Sequence, residues 1–148
     1  MKLKGYLTAV VVFSIIDRFI KFLIASRIFG RFFIGDWFGI ELFQNNAAIF
    51  GLPKISPYFE MLAIAAGVFL TIAIFFALRK KDEFLVIGLF LIILGGMSNF
   101  SDRLIYGYVV DMIHMGESVW NAADGMIAGG FVLAVFSILR KSNEIRIN

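Results

Sequence analysis

Long apolar runs separated by short polar stretches dominate this chain. A bilayer's hydrocarbon core is about 30 Å thick, and a helix needs roughly 20 mostly apolar residues to cross it. Four runs suit that length, at about 6–24, 57–78, 84–99 and 123–139. The third continues a little beyond 99, and Pro57 suits the first turn of the second, where a missing N–H costs nothing. Between 25 and 56 the pattern changes to Phe29, Phe32, Phe33, Trp37, Phe38 and Phe43, punctuated by Gly35 and Gly39, and 39–43 reads as a short strand. That segment predicts a strand platform on the membrane surface, its rings at headgroup level. Residues 100–122 read as an outer loop, and 140–148 as a polar tail without chemistry. The expected architecture is therefore an all-α membrane protein. Four transmembrane helices carry a small outward-facing strand platform and an outer loop, in a single integral membrane domain over residues 1–148.

Composition strengthens this picture. Of 148 residues, 60% are hydrophobic and 17% charged, with 18 phenylalanines. An ordinary soluble domain is nearer half apolar and a quarter charged, and a fold this small leaves much of its surface in water. A soluble enzyme, a disordered chain and a coiled coil are excluded. Lys and Arg set the orientation. Lys2, Lys4, Arg79, Lys80, Lys81, Arg140, Lys141 and Arg146 flank one side, against Arg27, Arg31, Lys54 and Arg103 on the other. Both termini are expected in the cytoplasm. Span one reads as a retained helix rather than a cleaved leader, because its apolar stretch is long and carries Asp17 and Lys21.

Polar residues inside a bilayer are costly, so those present point to pairing, a wet cavity or chemistry. Five places hold them. Asp17 and Lys21 are four apart, on one helix face, and suit a self-neutralising pair. Asn45 and Asn46 sit among apolar residues, where turn chemistry is the simpler explanation. Asn99, Asp102 and Arg103 share a helix face at the end of span three, which equally suits a polar cap with Asp102 paired to a base. Asp111 is flanked by Val110 and Met112, as though held at an apolar surface. Asn121 suits an N-cap for span four, with Asp124 three residues on, near the positive end of the helix dipole. All five map to the outer side.

The absence of cysteine excludes disulfides, thiolate metal sites and a cysteine nucleophile. A single histidine, His114, cannot build a His-rich metal site and is assigned no role. Ser98 and Ser101 have no evident Lys or His partner in the sequence. Asp102, Asp111 and Asp124 remain. Two carboxyls at close range share a proton, so one can activate water while the other donates a proton. Two rival readings stay open here. An ion-coupled transporter subunit would need polar residues through the bilayer depth, and spans two and four have almost none. An assembly subunit glued by polar residues would tolerate Asp→Asn changes.

At these residues the chain resembles the lipoprotein signal peptidases, or signal peptidase II. The blocks are Gly-Gly-Met-Ser-Asn-Phe-Ser-Asp-Arg (95–103), Val-Val-Asp (109–111) and Asn-Ala-Ala-Asp (121–124), in the family's order and spacing. The family's Asn-x-Gly-x-x-Phe block resembles 45–50, with Ala47 in place of Gly, and Met112 and Trp120 also depart from the usual residues. The resemblance implies a membrane aspartic endopeptidase that removes signal peptides from bacterial prolipoproteins, cutting before the diacylglyceryl-modified cysteine. It implies Asp111 and Asp124 as the catalytic pair. Asp17, Lys21, Asn45, Asn99, Asp102, Arg103 and Asn121 would support the site or touch substrate. No metal and no organic cofactor is implied. The expected partners are diacylglyceryl-modified prolipoproteins, membrane lipid and globomycin-type inhibitors, with no nucleic acid and a monomeric chain. The expected location is the bacterial cell inner membrane, crossed several times, with the active site at the outer face.

Overall fold

The computed structural model describes residues 2–46 and 58–147. Helix α1 covers Lys2–Ala25, strand β1 Phe32–Ile34, strand β2 Phe38–Asn45, helix α2 Tyr58–Arg79 and helix α3 Glu83–Tyr106. Strand β3 covers Val109–Met115, strand β4 Ser118–Trp120 and helix α4 Ala122–Ile147. Among the described residues, three helices, α2, α3 and α4, are long and apolar enough to cross a membrane. Helix α1 is as long as α3, but Asp17, Arg18 and Lys21 interrupt its apolar run. Pro57 lies outside the described residues.

Helix α3 is the hub, packing against α4, α2 and α1. Glycine permits its closest approach. A Cβ at Gly88 would stand 2.7 Å from the Gly130 carbonyl oxygen, and one at Gly95 2.6 Å from that of Ala123. Small residues let membrane helices come this near, and the second contact presses the first turn of α4 onto α3, one turn below Asn99. Helix α3 starts at Asp82, whose side chain accepts the Leu85 N–H at 3.1 Å. It runs about two turns past residue 99 and stops at Gly107, whose φ of 82° is left-handed and favours glycine. The segment after 99 is therefore helix before it is loop.

The remainder of the expected outer loop is also ordered. Strands β3 and β4 form a hairpin that completes an antiparallel sheet of order β1-β2-β3-β4. The register pairs Phe43 with Asp111, Asn45 with Val109 and Ile113 with Trp120, with an irregularity between Ile40 and Phe43. The sequence conceals β3 because Val109–Met112 are all buried, so the strand shows no alternation of polar and apolar positions. Val110 and Met112 pack on Ile24 of α1, with Leu42, Tyr106 and Tyr108 around them. The predicted strand at 39–43 lies within β2, and the Phe33 ring fills the space where a Cβ on Gly39 would stand.

At the far end of the bundle, Leu3 and Leu7 of α1 pack with Ala77 of α2 and Val86 and Leu89 of α3. The predicted polar tail is instead helical through Ile147. Lys141 reaches the Asp82 carboxylate at 2.7 Å, and Ser137 donates to both its oxygens at 2.7 and 2.8 Å. This end thus holds a built polar cluster as well. Burial pushes the Asp82 carboxyl up, but Lys141, Ser137 and the Leu85 N–H more than offset it, and the net displacement is downward.

Candidate active site

Opposite that end, the last turns of α3, the first turn of α4 and strands β2 and β3 converge on two carboxyls. Asn121 caps α4. Its Oδ1 accepts the Asp124 N–H at 2.9 Å, while its own N–H donates to Asp124 Oδ2 at 3.1 Å. This reciprocal pair is a capping box with Asp in the place of Glu. The Asn121 amide also reaches the other carboxyl, donating from Nδ2 to Asp111 Oδ1 at 2.5 Å. Asn45 Nδ2 donates to Asp111 Oδ2 at 2.7 Å, and Asn99 Nδ2 donates to Asp124 Oδ1 at 2.8 Å. Each carboxyl accepts two N–H donors, and one residue, Asn121, touches both. Asp111 is buried, whereas Asp124 is part-exposed. Burial raises the Asp111 carboxyl above the usual carboxylate range and the Asp124 charge adds to this, while Asn45, Asn121 and Lys21 offset part of it.

A charged cluster lies behind the pair. Lys21 and Asp17 of α1 and Asp102 of α3 are each almost wholly buried, at 0, 1 and 0% exposure. The Lys21 ammonium meets Asp102 Oδ2 at 2.9 Å, Asn99 Oδ1 at 2.7 Å, Ser98 Oγ at 3.3 Å and Asp17 Oδ2 at 3.5 Å. Arg18 pairs with Asp102 Oδ1, and the Val110 N–H donates to Asp102 Oδ2 at 3.2 Å. Asp17 accepts the Ser98 hydroxyl at 2.5 Å and the Ala123 N–H at 3.2 Å. Buried charges survive when paired and hydrogen-bonded. This network ties α1, α3, β3 and α4 together under the two carboxyls.

Eight of the nine expected site residues join one connected set: Asp17, Lys21, Asn45, Asn99, Asp102, Asp111, Asn121 and Asp124. Asp102 enters through Lys21 and Arg18. Arg103 lies at the edge, donating to the Asn99 carbonyl at 3.4 Å. Asp102, expected to pair with a base, pairs with Arg18 and Lys21 from another helix. Nothing in the spacing of the chain marks Arg18. Ser98 was set aside for want of a nearby lysine, yet Lys21 lies against it. The two are 77 residues apart, and no sequence signal joins them. Ser98 is not arranged as a nucleophile, because its hydroxyl donates to Asp17 and Lys21 is held by carboxylates. Positions 47–50 of the Asn45 block lie outside the described residues. Among the described residues, no three His, Asp or Glu side chains cluster as a metal site would require.

Comparison with known proteins identifies the family. The profile of the signal peptidase (SPase) II family, peptidase family A8, matches residues 9–140. A lipoprotein signal peptidase of Thermodesulfovibrio yellowstonii is 34% identical over 152 aligned positions, covering 95% of this chain and 100% of the relative. One from Streptococcus pneumoniae is 30% identical, covering 93% and 95%. A bacterial membrane enzyme solved by the in meso method at 2.3 Å resolution superposes with a TM-score of 0.77 at 22% identity, over 95% of this chain and 91% of the other. At that identity the likeness speaks for the fold. The profile match over most of the chain and the two full-length relatives establish the family: the chain belongs to signal peptidase II.

Proposed function

We propose that Asp111 and Asp124 are the catalytic pair with which this signal peptidase II removes signal peptides from prolipoproteins, cutting before the diacylglyceryl-modified cysteine. Family membership supplies the reaction class, an aspartic endopeptidase acting on prolipoproteins. The observation that carries the residue assignment is Asn121, which holds Asp111 by its side chain and Asp124 by its backbone N–H. No other pair of carboxyls described in this chain shares such a bridge at a part-exposed position.

The unequal surroundings divide the roles. Asp111, buried and raised, enters as the acid. Asp124, reachable from solvent, serves as the base. Asp124 takes a proton from water, and the oxygen of that water bonds to the scissile carbonyl carbon. Asp111 gives its proton to the carbonyl oxygen. The tetrahedral diol then collapses: Asp124 gives its proton to the leaving nitrogen, Asp111 takes one back from a diol hydroxyl, and the C–N bond breaks. The two asparagine donors on each carboxyl fix its direction, so little reorganisation is needed.

The surroundings suit a lipidated substrate. Phe43 and Ile113 share a sheet face with Asp111 by strand register, and the neighbours Ile40 and Trp120 continue it. Phe43, Ile40 and Trp120 are exposed, an apolar surface leading away from the acid. The cationic flanks Arg79–Lys81 and Arg140–Lys141 lie at the opposite end, which we place in the cytoplasm. The site then faces outward from the bacterial inner membrane, where a signal helix ends and its lipid begins.

The test is turnover of a diacylglyceryl-modified prolipoprotein by purified protein, read as loss of the signal peptide and sensitivity to a globomycin-type antibiotic. Asp111→Asn and Asp124→Asn are expected to fold and to lose at least about 1,000-fold in kcat, since each removes one half of the proton transfer. Asp102→Asn leaves Lys21 and Arg18 short of a charge and should cost about 3 kcal/mol of stability, with activity remaining per folded molecule. A dead Asp102 variant beside a working Asp111 variant would reverse the assignment.

A further inference from the structure

We infer that Lys21 is a positioning residue for this reaction: its buried ammonium fixes which end of the Asn99 side-chain amide faces Asp124. The inference rests on the reading of Asp111 and Asp124 as the catalytic pair.

An asparagine amide has two ends of nearly equal shape, and only its partners decide which end points where. Asn99 Oδ1 accepts from Lys21 Nζ at 2.7 Å and from Asn121 Nδ2 at 3.1 Å, and its Nδ2 donates to Asp124 Oδ1 at 2.8 Å. Turning the amide over would aim Nδ2 at two donors and an oxygen at a carboxyl. Asn121 opposes that from one side, because its Oδ1 is held by the Asp124 N–H at 2.9 Å and its Nδ2 must therefore donate. An ammonium has three donors and no acceptor, so it can never accept from a reversed amide. Lys21 therefore supplies a fixed polarity directly to Asn99, through the shortest of that amide's contacts. Asn99 passes it to Asp124, while Asn121, its amide set by the Asp124 N–H, donates to Asp111 at 2.5 Å.

Ser98 and the two carboxylates aim the ammonium. The Ser98 hydroxyl donates to Asp17, which leaves its lone pairs toward Lys21 at 3.3 Å. Asp102 takes a second N–H at 2.9 Å, and Asn99 receives the third. Charge neutrality alone does not require this arrangement, since Arg18 already pairs with Asp102. The contact that serves the reaction is the one to Asn99.

Lys21→Met alone strands a buried carboxylate and risks the fold. The informative protein is the charge-matched Lys21→Met/Asp17→Asn variant, measured beside Asp17→Asn alone. Thermal unfolding, kcat and KM are read on the full chain with a lipidated prolipoprotein. Relative to Asp17→Asn, the double variant is expected to fold with similar stability, to keep KM and to lose about a hundredfold in kcat, the scale of a misplaced catalytic group. Asn99→Asp keeps a partner for Lys21 but presents oxygen to Asp124, and should show a loss of the same order. Equal kcat in the double variant and its Asp17→Asn parent overturns the inference, as does wild-type turnover by Asn99→Asp. Failure of the double variant to fold, where Asp17→Asn folds, also overturns it by making Lys21 a structural residue. Absence of cleavage by the wild-type protein instead sinks the peptidase assignment itself.

Discussion

At the scale of single residues, the site is a set of asparagines used as fixed donors. Asn45, Asn99 and Asn121 each place an N–H on a carboxyl oxygen, and each could be read in the sequence as an ordinary turn or cap. Asn45 offers the cleanest check of the acid's identity. Its hydrogen bond favours the ionised form of Asp111 and so restrains a carboxyl that burial has raised. With the bond removed, Asp111 should hold its proton to higher pH. Asn45→Ala is therefore expected to lower kcat and to move the alkaline limb of the kcat/KM profile upward, as measured between about pH 5 and 9. A limb that moves to lower pH would mean that Asp111 is not the group whose deprotonation ends activity. The sequence marked these asparagines by their company, apolar neighbours and helix ends, whereas their partners came from other elements.

At the scale of elements, the polar clasp at the opposite end of the bundle couples the start of α3 to the end of α4. Asp82 caps α3 and receives Ser137 and Lys141 from α4. Its folded-state carboxyl is displaced downward. The sign follows: the clasp contributes fully above the ordinary carboxylate range and is lost as pH falls through the lowered folded value. Asp82→Asn should lower stability at neutral pH by about 1 kcal/mol, a small figure because Lys141 is half in solvent. The gap between variant and wild type should close as pH falls below about 4. Thermal unfolding in detergent across pH measures both. A constant gap would show that the lost ion pair is not its source. The ends of α3 and α4 were only partly legible beforehand: 84–99 and 123–139 lie inside the observed helices, but composition stops at the apolar boundary while hydrogen bonding continues past it. Helix α3 goes on to Tyr106, carrying Asp102 and Arg103 into place.

At the scale of the whole molecule, orientation is the property to test. The structure gathers Arg79–Lys81 and Arg140–Lys141 at one end and the carboxyl pair at the other. Ser118 in β4 and Ser142 in α4 are both exposed. Cysteines introduced at these two positions should divide: Ser118→Cys labelled by an impermeant thiol reagent added outside intact cells, Ser142→Cys only after the membrane is opened. The reverse pattern would put the site in the cytoplasm and remove its access to translocated prolipoproteins.

The amino-acid sequence by itself determined the long apolar helices, the expected orientation, the strand within β2 and, through its family motif blocks, which two carboxyls to propose. Each rests on local pattern: run length, charge asymmetry, alternation, and motif blocks whose spacing is itself chemistry. Tertiary structure alone decided that 109–120 is a hairpin, because a strand covered on both faces loses its alternation. It alone decided the partners of Asp102, since Arg18 stands 84 residues from it and Arg18 and Lys21 reach it only when α1 packs on α3. The meeting of Asp111 and Asp124 at Asn121 belongs to the same class. Its geometry depends on a sheet edge and a helix start held together by the close approach of Gly95 to Ala123, and a pairing made by packing leaves no period in the chain.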